Sequence, residues 1–505
     1  MTGPLLLTGS DLTPSVLREV AFDRRPVALT PDAAQRAAVG RALVERALAK
    51  GDTVYGLTTG LGSRVGHRLN ADDLADFSAR TVRGRAHGVG PPLAAPLVRA
   101  MMVARLNVLL NGGAGVSFAL IELLRDMLNA DLRPVVPSIG SVGAGDLCLM
   151  AHLGLVMIGE GEAEHGRRRG PAAALLLEAG LRPVTLGPKD GLGLINCSAL
   201  GAGIAGVALE EADAIYRAAQ VAAALTFEGF RANLSPIDPE AVAARPQPGQ
   251  AVASAHLRRL LFGSLLLEPG GARRVQDPIS LRCVGAVHGA LLAALGFAER
   301  ALDPELNGAA ENPVLLLESE RVISTGNFHT PLLALSLDQV ALASAQVAAN
   351  ALARGSRLMQ ERFSGLPNNL IARDAGYSGF APVMKVGEAL LGEIRHLAQP
   401  VSGDIRWGAD GTEDDVTNTP FAAKKLLELL ERLRHLLALE LMLAAQAVEL
   451  AHPSQLGLPM QRAYECVRDL SPPLVEDRPL GGDLKQLAQE LLAERRLLQE
   501  VESAL

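Results

Sequence analysis

Cysteine, aromatic side chains and positive charge are all in short supply in this sequence. Only four cysteines occur in 505 residues, Cys148, Cys197, Cys283 and Cys466. None forms a CxxC pair, which argues against a disulfide framework or a zinc site and for reduced thiols in a cytoplasm. Aromatic residues are 3% of the chain, with one Trp and four Tyr, so any such side chain near chemistry comes from a very short list. The net charge of −7 lacks the basic footprint that nucleic-acid binding requires. The first residues carry no basic start and too short an apolar run for a signal peptide. The apolar stretch from Val284 to Phe297 falls short of the ~20 residues that span a bilayer, so no membrane association is expected. Neither a GxGxxG spacing nor a Walker lysine accompanies the glycine-rich GLTTGLG, which excludes a nucleotide signature.

What is present is a globular composition, 49% apolar and 20% charged, in a chain long enough for a large core. To about residue 220, short helical patterns alternate with glycine-rich turns such as GLTTGLGS and PSIGSVGAGD. Beyond that the pattern becomes long and helical. Apolar residues at three- and four-residue steps predict helices over Thr419–Leu450, Asp277–Leu302 and Pro331–Phe363, the first opened by a Thr-Pro start signal. Gln399–Thr419 reads as an irregular connection. Strand signals are sparse. The expectation is an all-α protein with a loop-rich N-terminal active-site region (1–220) and a long helical bundle (221–505), assembled as an oligomer.

The segment Gly140 to Glu164, GSVGAGDLCLMAHLGLVMIGEGEAE, resembles the signature of the histidine/aromatic amino-acid ammonia-lyase superfamily except at its core. Members carry Ala-Ser-Gly after SVG, and that tripeptide cyclises and dehydrates to a methylidene-imidazolone (MIO). Here Ala144 joins Gly145 directly. Without the serine nothing supplies the methylidene carbon, and Cys148 lies too far along to replace it. The MIO cofactor is therefore not expected, nor any other cofactor or metal. Further ordered matches cover nearly the whole chain: Tyr55–Gly62, Asn196 in GLINCS, Val275–Cys283, Gly326–His329, and Glu413-Asp414.

The resemblance implies an ammonia-lyase-like fold, a small-molecule substrate, and a homotetramer with active sites shared between subunits. It also implies roles. Tyr55 would be the general base, Arg282 a bidentate grip on the substrate carboxylate, and Asn196 and Asn327 hydrogen-bonding partners. Glu413 would bind a ring N–H. Arg85 stands where the histidine lyases have a histidine, with His87 two residues on, and Lys385 where they carry an uncharged residue. Either cation would help Tyr55 ionise or stabilise charge growing on the substrate ring. Asp414 and Asp415 would face a substrate cation, since aromatics are too few for a cage, unless they are simply an acidic loop before a helix. His329 is read as ordering the bundle. Each cation and carboxylate also has the bland reading of a solvated surface charge.

Chemically, MIO exists because ammonia leaves poorly and the β-proton is weakly acidic. A quaternary trimethylammonium leaves unaided, and a thioimidazole ring acidifies the β-proton. Ergothioneine has both features, and within the superfamily this chain looks like the ergothionase type, which releases trimethylamine and thiourocanate. The alternatives are MIO-independent elimination from another betaine, hercynine or histidine, and a catalytically inactive regulatory homologue.

Overall fold

Alanine and leucine at helical spacing dominate the second half of the chain, and long helices follow from them. In the computed structural model, which describes residues 3–61, 66, 68–69, 71–372, 376–403, 408, 411, 413–451 and 455–505, six helices matter here. They are α1 (Leu147–Met157), α2 (Asp190–Ile195), α3 (Ala199–Phe230), α4 (Val284–Asn307), α5 (Pro331–Leu358) and α6 (Thr419–Ala451). At ~1.5 Å per residue α3 and α6 are each about 50 Å long. The expected start at Thr419 is observed, as is the start at Pro331. The expected continuous helix from Asp277 is not. A short turn, Ile279–Arg282, ends at Cys283, whose ψ of 11° leaves the helical region, before α4 begins. Arg282 Nε turns back to donate to Asp277 O at 2.8 Å, a local tie that periodicity does not register.

The chain divides into two compact units made of non-sequential pieces. The first is Met1–Glu210, Ala298–Leu337 and Pro400–Lys424, and the second is Glu211–Phe297, Asp338–Gln399 and Lys425–Leu505. The first crossing lies close to the division expected near residue 220, after which two further stretches return to the first unit.

The strands among the described residues all lie in the first unit, and they are short. Leu5–Leu7 pairs in parallel with Val27–Leu29, and Val89–Pro92 runs antiparallel to Pro137–Ile139. Leu132–Pro134, Glu162–His165 and Arg168–Pro171 form a three-stranded antiparallel sheet, and Val314–Leu316 pairs with Arg321–Ile323. These ribbons frame loops instead of building a layer, so the fold is mostly helical. The core of this unit holds the helix Ala95–Leu109, buried around its whole circumference from Val98 onward. Its Arg105 is buried with Glu311 in an ion pair of 2.9 Å.

The second unit is helical among its described residues. Its interior carries a buried fork: Arg354 donates to both carboxylate oxygens of Glu440, at 2.6 and 2.9 Å, and Thr226 Oγ1 donates to the same carboxylate at 3.1 Å. Removing one partner of such a pair typically costs about 3–5 kcal/mol, because the other charge is left buried alone.

Two segments, 190–230 and Pro331–Leu358, are long and apolar enough to cross a bilayer by length and composition. The apolar window of the first is wholly buried in protein, as in a core helix. The second, α5, leaves Leu332, Leu335 and Leu342 about half exposed, on a stripe with Gln339 and Gln346. Steps of three and four residues put all five on one face.

Candidate active site

A cavity of about 670 Å³ opens in the first unit, and its walls are loops held by side chains. Tyr55 projects from a tight turn. The Thr58 hydroxyl accepts from Val54 N at 2.8 Å and donates to Asp52 O at 2.8 Å, while Thr59 Oγ1 accepts from Gly56 N at 3.3 Å. Both threonines are buried, so the turn is tied internally. Arg85 follows the end of the helix Ala71–Arg83 and lines the cavity near Tyr55 and Glu413. Burial lowers the Arg85 guanidinium below its ordinary range, and the charges of Tyr55 and Glu413 partly restore it. His87 also lines the cavity, its Nε2 donating to Gly84 O at 3.0 Å.

The floor is the shortened segment 140–148. Ser141 Oγ donates to Asp146 Oδ1 at 2.7 Å, and Gly201 N donates to Asp146 Oδ2 at 2.8 Å. Asp146 N in turn donates to Cys197 O at 2.7 Å. Burial raises the Asp146 carboxyl to about 6 despite those hydrogen bonds. Asp146 thus caps the first turn of α3 from outside that helix and fixes the floor against it.

Beside the floor stands Asn196, just past the end of α2 and 6% exposed. Its Nδ2 donates to Asn312 O at 3.1 Å. The buried Arg105–Glu311 pair supports both sides of this bond. Arg105 donates to the carbonyls of Gly193 and Leu194 at the C-terminal end of α2, and Glu311 adjoins Asn312. A cation at a helix C-terminus also suits the helix dipole.

Phe328 and His329 form a further wall, and His329 pairs its backbone with Ala144 in an isolated antiparallel bridge. Glu413, Asp414 and Asp415 make an exposed acidic wall, where Asp415 Oδ2 lies 3.3 Å from His329 Nε2.

Of the residues singled out from the sequence, Tyr55, Arg85, His87, Asn196, Glu413, Asp414 and Asp415 meet at this one cavity. Asn327 does not line it. Its flanking residues Gly326 and Phe328 do, while its own amide donates to Ala309 O at 3.0 Å. Arg282 and Lys385 belong to the second unit and are absent from the lining. Lys385 Nζ pairs with Glu388 at 2.9 Å, with 79% of its side chain exposed. His329, expected from the sequence to order the bundle, lines the cavity. Its place next to the Asn327 motif was the available signal.

The Ala-Ser-Gly tripeptide from which a methylidene-imidazolone forms is incomplete in this floor. The serine whose dehydration would supply the methylidene carbon is missing between Ala144 and Gly145. What the cavity offers instead is one phenol, one half-buried guanidinium beside it, a carboxylate wall at the mouth, and an apolar floor of Val142, Ala144 and Leu147. That set can take a zwitterion with its cation toward the acids, and can place a base near it.

Comparison with known proteins agrees with this architecture. Residues 12–469 match the aromatic amino acid lyase family. A histidine ammonia-lyase from Myxococcus xanthus is 39% identical over 503 residues, 99% of each chain. The crystal structure of the ergothioneine-degrading enzyme ergothionase from Treponema denticola superposes with a TM-score of 0.93 at 30% identity, covering 98% of this chain and 99% of that one. Histidine ammonia-lyase from Trypanosoma cruzi gives a TM-score of 0.92 at 29% identity, covering 99% of this chain and 96% of that one.

Proposed function

The chain belongs to the aromatic amino acid lyase family, and from that premise we propose that it eliminates trimethylamine from ergothioneine without an MIO group, leaving thiourocanate. The observation that carries this reading is the floor of the cavity: Ala144 runs directly into Gly145, with no serine. An elimination without that electrophile needs a substrate whose amine leaves unaided and whose β-proton is already acidified. A trimethylammonium next to a thioimidazole-bearing CH₂ meets both needs.

Tyr55, as phenolate, takes the β-proton. The C–H electron pair becomes the new C=C bond, and the C–N pair departs with neutral trimethylamine. The phenol proton then passes to water or to the released amine. Glu413, Asp414 and Asp415 face the trimethylammonium or a ring N–H. Arg85 keeps negative charge on Tyr55 and on the developing thiolate-like ring, an effect that grows toward the transition state. A positioned base supplies about 10²–10⁴ in rate, so the remainder falls to these charges and to orientation.

The substrate carboxylate needs a cation beyond Arg85. We propose that Arg282, with Lys385, enters this cavity from a neighbouring copy in a homotetramer, and that the half-apolar stripe on α5 packs between copies. The same-family histidine ammonia-lyase at 39% identity supports a second reading, deamination of histidine. An inactive homologue is disfavoured by the tied Tyr55 turn and the Asn196 support, which serve no purpose in a decayed site.

The test is a spectrophotometric assay of the purified protein with ergothioneine, hercynine, histidine, tyrosine and phenylalanine, following conjugated-acrylate absorbance and free amine. Absorbance with ergothioneine alone, matched by trimethylamine, is expected. Turnover of histidine with ammonia release would replace this reading, and no turnover of any of the five would defeat it.

A further inference from the structure

Beneath the point where three walls of the cavity meet lie three buried threonines. Thr330 directly follows His329, Thr417 lies just beyond Asp415, and Thr419 begins α6; they are 4%, 2% and 2% exposed. Their hydroxyls bond to one another. Thr330 Oγ1 and Thr419 Oγ1 are 2.7 Å apart, and Thr417 Oγ1 and Thr419 Oγ1 are 2.9 Å apart. Thr417 Oγ1 also donates to Gly143 O at 2.9 Å, and Asn418 N donates to Val142 O at 2.9 Å. One hydroxyl cluster therefore ties the shortened floor, the His329 wall and the acidic wall together. The fit is tight: a Cβ on Gly143 would lie 2.1 Å from Thr417 Oγ1.

We infer that Thr417, supported by Thr330 and Thr419, is a positioning device for substrate selection: it fixes the distance between the acidic wall and the Ala144–Gly145 floor. The physical reason is leverage. Asp415 is exposed at the mouth, and its side chain accepts from Val416 N at 2.9 Å and from His329 Nε2 on the facing wall at 3.3 Å. Among the described residues no further hydrogen bond holds that side chain. Its place over the floor depends on the backbone at 416–419, and the threonine hydroxyls are what bind that backbone to Gly143. Buried hydroxyl networks of this kind hold their partners firmly, because a bond left unmade away from water is not replaced by solvent. The cluster acts on the cationic end of the substrate and leaves the Tyr55 base untouched.

This rests on the proposed reaction only in taking the acidic wall as the cation site. The test is steady-state kinetics of Thr417→Val, which keeps the shape and removes the hydroxyl, with Thr417→Ser as the conservative rescue and Thr330→Val as a second lesion. The assay uses whichever of the five amino-acid substrates the wild type turns over. The expected result is a KM raised roughly tenfold in both valine variants, kcat within about threefold, and Thr417→Ser close to wild type. Equal loss in the serine and valine variants, or a fall in kcat at unchanged KM, would overturn the inference. If the wild type acts on histidine, the ergothioneine reading fails on its own. The KM pattern is still decisive then, because the histidine ammonium would meet the same wall.

Discussion

At the scale of single residues, the chemistry rests on a phenol, a guanidinium and carboxylates with very different surroundings. Tyr55 sits in an internally tied turn, while Arg85 is half-buried and electrostatically coupled to both Tyr55 and Glu413. Replacing Tyr55 by Phe keeps the ring and its packing, so substrate binding should persist while kcat falls by ~10²–10⁴; single-turnover kinetics with a binding titration measure both. Retained turnover would remove Tyr55 as the base. The residue types that carry this chemistry were readable because each lies inside a motif. Asn327 illustrates where that stops: a motif fixes the backbone, but the amide it carries bonds to Ala309 O, outside the cavity lining. Arg105, Glu311 and Thr417 carry no such signal, and Asp146 lies inside the signature segment without its role being readable there. Their roles come from long-range partners, such as Arg105 with Glu311, that no local pattern encodes.

At the scale of elements, the shortened segment 141–146 is the feature on which the rest turns. Gly143 adopts a φ of +81°, which L side chains rarely take, and its carbonyl and its neighbour's are both claimed by the start of α6. Gly143→Ala should cost on the order of 2–4 kcal/mol, from left-handed strain plus the collision with Thr417. A thermal melt should show a clear drop, and an unchanged midpoint would mean the floor is looser than its hydrogen bonds indicate. The helices were legible where a start signal and a long apolar period coincide, as at Thr419 and Pro331. The break at Cys283 was not, because the turn Ile279–Arg282 is set by ties such as Asn350 Nδ2 to Ser280 O at 3.1 Å, which belong to tertiary structure.

At the scale of the whole molecule, several carboxyls are largely buried, and they should make stability depend on pH. Glu228 is 3% exposed and accepts from Ser264 Oγ at 2.9 Å, while its other oxygen has no partner among the described residues. Burial pushes it up to about 7 from 4.5. Between those values the folded protein keeps a proton that the unfolded chain has released, so the contribution is present below ~4.5 and is lost as pH rises toward ~7. Glu305 at about 7 and Asp146 at about 6 act in the same direction. Glu228→Gln should therefore flatten the decline of the melting temperature between about pH 5 and about pH 8, and exceed wild type at the upper end. A variant with the wild-type slope would show that the carboxyl is hydrated or ionised in the fold.

Tyr55 lines the cavity and Arg282 is absent from its lining, which has a consequence for genetics. If a working site draws these two residues from different copies of the chain, two inactive proteins can repair one another. Tyr55→Phe and Arg282→Ala, each strongly impaired when made alone, should regain a fraction of activity when co-expressed or unfolded and refolded together, since some mixed assemblies then hold a site with both residues intact. Two alleles scored as null would complement in the same cell, and the yield of activity would count how many chains build each site.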